Sequence, residues 1–175
     1  MIQCTSRSFD SQWYVLQTKA RHETVAEHNL NNQGFTTFVP WLRVQRRSHG
    51  RWTPVREPLF PGYLFIELDL EEQNTAPIRS TRGVIRLVRL GATLQAFPLS
   101  LLEALMHAQE VEGDAIDPAR MLESGDEVTL LDGPMAGLNA IFKSRNSQER
   151  VVLLLNVLGT ETRVSVSLHS IEKAG

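Results

Sequence analysis

The sequence predicts two folded units of different class: an α+β domain, made of an antiparallel sheet flanked by helices, followed by a small β-barrel. Three observations carry this expectation. Short runs of β-branched and aromatic residues alternate with helix-period segments up to residue 108. Residues 109–122 (QEVEGDAIDPARML) are acidic, aperiodic and interrupted by Gly113 and Pro118, which is a linker composition. Residues 123–175 then carry short apolar runs separated by turn residues, and TETRVSVSL alternates with a period of two. The expected units are 11–108, a linker over 109–122, and 123–175.

The elements follow in chain order. Trp13–Gln17 is a strand, and Ala20–Gln33 a helix facing Val25, Ala26 and Leu30 to a core, with Gly34 in the position of a helix C′ glycine. Phe35–Val39 is a strand that Pro40 ends. Two basic arms, Trp41–Arg47 and Arg51–Arg56, flank Ser48-His49-Gly50 as a polar hairpin. Pro58 and Pro61 stiffen the approach to the strand Tyr63–Leu68. That strand sends Tyr63 and Phe65 to one face and Leu64, Ile66 and Leu68 to the other, so both faces need cover. Thr75–Ser80 is a turn or short helix, and Val84–Leu90 a further strand. Ser100-Leu-Leu-Glu103 has the form of a capping box opening a helix with Leu101, Leu102, Leu105 and Met106 inward. In the second unit the runs are Glu127–Leu131, Leu138–Phe142, Val151–Leu155 and Thr162–Leu168.

Composition narrows the class. With 42% apolar and 22% charged residues, the chain is globular in character. The opening MIQCTSRSFD has no continuous apolar stretch, and no run reaches the ~18 residues of a membrane span. A cytoplasmic protein without a membrane partner is therefore expected. Cys4 is the sole cysteine, which excludes an internal disulfide or a cysteine-based zinc site. The net charge of −2 is unevenly distributed: residues 1–108 hold 12 Lys+Arg against 9 Asp+Glu, and residues 109–175 hold 6 against 11. A polyanion would meet the first half and be repelled by the second. His22, His28, His49, His107 and His169 are scattered without HExxH spacing. Gly133–Gly137 lacks the ending of a phosphate loop, and no Gly-x-Ser-x-Gly elbow occurs. No catalytic residue, metal or cofactor is expected.

Trp13-Tyr14, EPLFPGYLF at 57–65 and STRGVIRLVRLG at 80–91 resemble the N-terminal domain of the NusG family, most closely its RfaH type. Gly125–Gly137 (GDEVTLLDGPMAG) resembles the KOW motif that opens the family's C-terminal barrel. The resemblance spans residues 12–173. It implies a transcription elongation and antitermination factor that binds the clamp helices of RNA polymerase, suppresses pausing and acts as a monomer. For the RfaH type it further implies recruitment by an element on the non-template DNA strand. It also implies a C-terminal unit that rests either as an SH3-like barrel or as an α-helical hairpin masking the polymerase site. A ribosomal small-subunit protein is an implied partner of that unit.

Site residues follow from the same resemblance. Phe60, Tyr63, Phe65 and Leu90 match the polymerase-binding surface, where aromatic and aliphatic anchors grip a helix tip. Lys19, Gln33, Thr81 and Arg82 match positions that touch single-stranded DNA. Glu57 and Arg150 match an interdomain ion pair that locks the closed form. Gln17, Asn29, Asn32 and Asn74-Thr75-Ala76-Pro77 depart from the RfaH pattern at the polymerase pocket, the DNA face and the gate-side contact. Independently of the resemblance, Arg43, Arg46, Arg47, Arg51 and Arg56 make the hairpin the most basic stretch, with upstream duplex DNA as its expected contact. Two other readings stand beside this one: a general NusG factor that needs no loading element, and a ribosome-associated KOW protein, which the acidic second half disfavours.

Overall fold

The computed structural model describes residues 11–118, 141, 142, 144 and 146–158. Its centre is a four-stranded antiparallel sheet, built from β1 (Gln12–Thr18), β2 (Thr36–Phe38), β5 (Tyr63–Leu68) and β6 (Val84–Leu87), in the order β2-β5-β1-β6. The hairpin of β3 (Trp41–Ser48) and β4 (Arg51–Pro58) extends from it, and β7 (Arg89–Leu90) pairs with β8 (Thr93–Leu94). Helices include α1 (Glu23–Asn32), α2 (Ala76–Ser80) and α3 (Leu99–Glu112).

The alternation along β5 divides the core in two. Leu64, Ile66 and Leu68 join Tyr14, Leu16, Ala26, Leu30, Ile78 and Val84 beneath α1 and α2. Phe65 points the other way, into a cluster with Val15, Phe60, Phe97, Leu102 and Leu105 beneath α3. Both faces are covered, as expected of a strand apolar on each side.

Several local expectations need correction. The strand expected over Val84–Leu90 breaks at Val88, whose N–H donates to the Val15 carbonyl (2.8 Å), after a register shift opposite Gln17/Thr18. Ser100 does not cap α3: the helix starts at Leu99 behind Pro98, with no side-chain cap. Pro77 sits in the first turn of α2, where its missing N–H costs nothing, and Asn74 Oδ1 accepts the Ala76 N–H (3.1 Å).

The stretch read as a linker is folded over its first half. Gln109–Glu112 complete α3, and Gln109 Oε1 accepts the Trp41 N–H (2.7 Å). Ile116, fully buried, bridges Leu42 in parallel: its N–H donates to the Trp41 carbonyl (2.7 Å), and its carbonyl accepts from Arg43 N–H (2.8 Å). The edge of β3 needed backbone partners, and this segment supplies them.

Residues 147–158 are helical. By local pattern, Val151–Leu155 reads as a barrel run. Here Val151, Leu154, Leu155 and Leu158 fall at i, i+3, i+4 and i+7, and all four pack into or against the α3-side cluster. Asn146 Oδ1 accepts the Gln148 N–H (2.8 Å) at the start of this helix. The KOW-like stretch Gly125–Gly137, Ala140 and the alternating Thr162–Leu168 lie outside the described residues.

Candidate functional site

The approach to β5 is held by a knot of backbone bonds. The Thr18 N–H donates to the Gly62 carbonyl (2.8 Å), and the Gly62 N–H donates to Glu23 Oε1 (2.6 Å) of the buried first-turn glutamate of α1. The Leu59 N–H donates to the Pro40 carbonyl (2.9 Å). Phe60 is turned inward as a result, edge-on to Phe65 (6.1 Å between ring centroids), and Phe65 packs on Phe97 at 4.7 Å. Phe60 and Phe65 are each 1% exposed, and Tyr63 is half-buried against the same cluster. Leu90 stands apart on β7, exposed. Three of the four expected anchors are thus gathered: Phe60 and Phe65 are core residues in this conformation, and Tyr63 packs against them half-buried. Their cover includes Leu154 and Leu158 of the 147–158 helix.

That helix is tied down by Arg150, which is 2% exposed. Its Nε donates to the Leu59 carbonyl (2.8 Å) and its Nη2 to Glu57 Oε1 (2.9 Å), with the Glu57 side chain 19% exposed. The other Glu57 oxygen, Oε2, accepts from Arg46. A single carboxylate therefore serves two guanidinium groups, one from the hairpin and one from the helix. A buried arginine needs such partners, because removing one from a buried pair costs about 3–5 kcal/mol. An open cleft of about 810 Å³ borders this group, lined among others by Gln17, Arg46, Glu57, Tyr63 and Ser147.

The residues matched to DNA contact also converge. Gly83 anchors them: the Lys19 N–H donates to its carbonyl (2.8 Å), and Thr81 and Arg82 precede it in the same turn. Gln33 Nε2 donates to Thr81 Oγ1 (2.9 Å) and to the Asn29 carbonyl (3.1 Å), while the Thr81 hydroxyl donates to the Pro77 carbonyl (2.9 Å). Thr81 is buried, so it clips α1 to α2 and offers no open base-reading group; Lys19, Gln33 and Arg82 are exposed. Of the departures from the RfaH pattern, Gln17 Oε1 accepts from Arg86 (3.2 Å) and Asn29 Nδ2 donates to the Val25 carbonyl (2.8 Å).

In the hairpin, His49 and Gly50 both have positive φ (50° and 79°), as a two-residue turn requires. Its arginines are not uniformly open to phosphate. Arg43 pairs with Asp114 (2.9 Å), Arg46 with Glu57, and Arg56 lies 4.0 Å over the Trp41 ring. Burial raises the Glu27 carboxyl above the ordinary glutamate range, and nearby Arg56 opposes that shift. Arg47 and Arg51 flank the tip. Beyond the arginines, Trp52 is 68% exposed opposite Arg47. Its sequence signal is a tryptophan at an outward position of an otherwise polar hairpin.

Among the described residues no cluster of His, Cys, Asp and Glu could hold a metal, and no helix is long and apolar enough to cross a membrane.

Residues 11–106 match the family model described as transcription termination factor nusG. The transcription termination/antitermination protein NusG of Thermus thermophilus is 31% identical, over 93% of this chain and 98% of that protein. NusG proteins of Streptomyces griseus and Streptomyces coelicolor are 30% and 29% identical over 95% of this chain; the chain spans about two thirds of their length, 66% and 64%. A solved structure titled for domain interaction in Thermotoga maritima NusG aligns with a TM-score of 0.40 at 20% identity, over 59% of each chain. The family model and these relatives are all described as transcription termination or antitermination factors. The chain belongs to the NusG family.

Proposed function

We propose that this protein is an operon-specific transcription elongation and antitermination factor of the RfaH type. In this reading Phe60, Tyr63 and Phe65, with Leu90 at the margin, bind the clamp helices of RNA polymerase and suppress pausing and termination. A non-template DNA element read by Lys19, Gln33 and Arg82 around the Thr81–Gly83 turn recruits it. The C-terminal unit covers the polymerase site until recruitment and afterwards is free to bind a ribosomal small-subunit protein. One observation carries the reading: Arg150 is buried on Glu57 and on the carbonyl of Leu59, the residue next to Phe60, and Leu154 and Leu158 share the core of Phe60 and Phe65.

Glu57→Ala and Arg150→Ala are the tests. Glu57→Ala leaves the buried Arg150 guanidinium without its carboxylate, so the covered state loses about 3–5 kcal/mol. Arg150→Ala leaves Glu57 paired with Arg46 but removes the bonds that tie the helix to Glu57 and the Leu59 carbonyl. The population open to polymerase rises accordingly, and apparent affinity rises with it. In an in vitro pausing assay, both variants are expected to act on templates that lack the loading element, where the wild type is inert. Variants that remain dependent on the element would end this reading.

A general NusG function is favoured by a different observation, namely that the curated relatives are named termination/antitermination NusG. Under it, wild-type protein acts on both templates alike and the two substitutions change nothing.

A further inference from the structure

The register of the hairpin sorts its side chains onto two faces, because residues directly opposite share a face and successive residues alternate. One face carries Leu42 opposite Glu57, Val44 opposite Val55, Arg46 opposite Thr53 and Ser48 opposite Arg51. At its base Leu42 and Val44 belong to the α3-side core, and Arg46 binds Glu57. This face is committed to the fold and to the ion-paired helix.

The other face reads, from base to tip, Trp41 opposite Pro58, Arg43 opposite Arg56, Gln45 opposite Pro54, and Arg47 opposite Trp52. It holds three arginines and both tryptophans of the hairpin; Arg43 is paired with Asp114, and towards the tip the hairpin itself places no acidic residue on this face. The base of the stripe already displays one stacked pair, Arg56 over Trp41 at 4.0 Å. At the tip the matching pieces, Arg47 and Trp52, are exposed, and the Trp52 indole remains 68% in water. Along six residues of β3 the stripe covers about 20 Å at ~3.4 Å per residue.

We propose that this outer face is a nucleic-acid platform on which Trp52 stacks an unpaired base while Arg47 holds the adjoining phosphate. The proposal rests on the reading of the protein as one that works on DNA, and it adds the chemistry of the ligand. An exposed indole at a hairpin tip has a flat π face to offer, and every base has one in return. Guanidinium groups on the same face recognise phosphate through paired N–H donors. A base inside a duplex is already stacked on both sides, so the partner is a single strand or the fork where a duplex opens. Its tip, Arg47 and Trp52, lies on the face opposite Arg46, the hairpin arginine that binds Glu57.

The test uses full-length protein and three DNA probes: a fork with an unpaired flap, the same sequence as a blunt duplex, and the flap strand alone. Tryptophan emission and the anisotropy of labelled DNA are read together, without polymerase. The fork and the flap strand should quench the emission, and the blunt duplex should not. Trp52→Ala should abolish the quench and weaken fork binding about five- to a hundred-fold, the range for one lost aromatic–base stack. Trp52→Phe should restore most of the binding. Arg47→Gln should reduce the log–log salt slope by roughly 0.7, as for one single-strand phosphate contact. Unchanged fork binding by Trp52→Ala overturns the proposal. So does a blunt duplex that binds and quenches as the fork does, or a poly-glutamate peptide that quenches equally, which would assign the face to an acidic protein. Because polymerase is absent, either failure leaves the polymerase reading standing, and failure of that reading leaves this result intact.

Discussion

Gly83 holds φ at +90°, and a Cβ there would meet the Ala26 backbone nitrogen at 3.1 Å and the His22 carbonyl at 3.2 Å. The turn before β6 therefore sits directly on the first turn of α1, and Lys19, Thr81 and Arg82 are arranged around that contact. Gly83→Ala combines a left-handed backbone, costing about 1–2 kcal/mol, with a clash against backbone that cannot swing aside. A loss of about 2 kcal/mol or more is expected in urea unfolding, together with weaker single-strand binding as the cluster loosens. Equal stability of the variant would mean that the turn is free to move off the helix. At the same scale, the Thr81 hydroxyl is used twice within the fold, donating to the Pro77 carbonyl and accepting from Gln33 Nε2.

Among the elements, 147–158 carries the most weight in the proposed function. Its apolar residues satisfy two periods at once. Val151, Leu154, Leu155 and Leu158 make a helical stripe, while Val151, Leu153, Leu155 and Val157 alternate as a strand would. Leucine is a good helix former and valine a good strand former. The stripe is realised because an apolar face is waiting for it beneath Phe60 and Phe65. Leu154 is fully buried there, and Leu154→Ala removes about 2–5 kcal/mol from that packing. The cover should loosen before the sheet does. Hydrogen exchange is expected to accelerate through 147–158 and at Phe60, with the β1–β5 amides protected as before. Exchange that rises equally in both regions would show the helix to be an integral part of the domain core.

For the whole molecule, the strongest expectation concerns the second unit as a body. On the proposed reading, its amides at 147–158 report helix in the full-length chain and strand in the isolated fragment 120–175. Superimposable tail spectra in the two would instead favour the general NusG reading. Much of the first domain was legible in the sequence, because its signals are local. The alternation of Tyr63–Leu68 set two buried faces, the glycines and prolines marked the turns, and five clustered arginines marked the hairpin. Family motifs singled out Phe60, Tyr63 and Phe65, which pack together, and Glu57 and Arg150, which form an ion pair though more than ninety residues apart. What no local pattern contained is decided by contact at distance. Whether Phe60 and Phe65 are surface or core depends on the helix lying over them. Residues 113–116, linker by composition, are ordered by the open edge of β3. Which hairpin arginines remain free depends on where Asp114, Glu57 and Trp41 come to rest. Sequence by itself determined where chain segments turn and which faces are apolar, since backbone sterics and side-chain period act between neighbours. Tertiary structure alone decided which apolar face covers which, because burial is a property of pairs of surfaces.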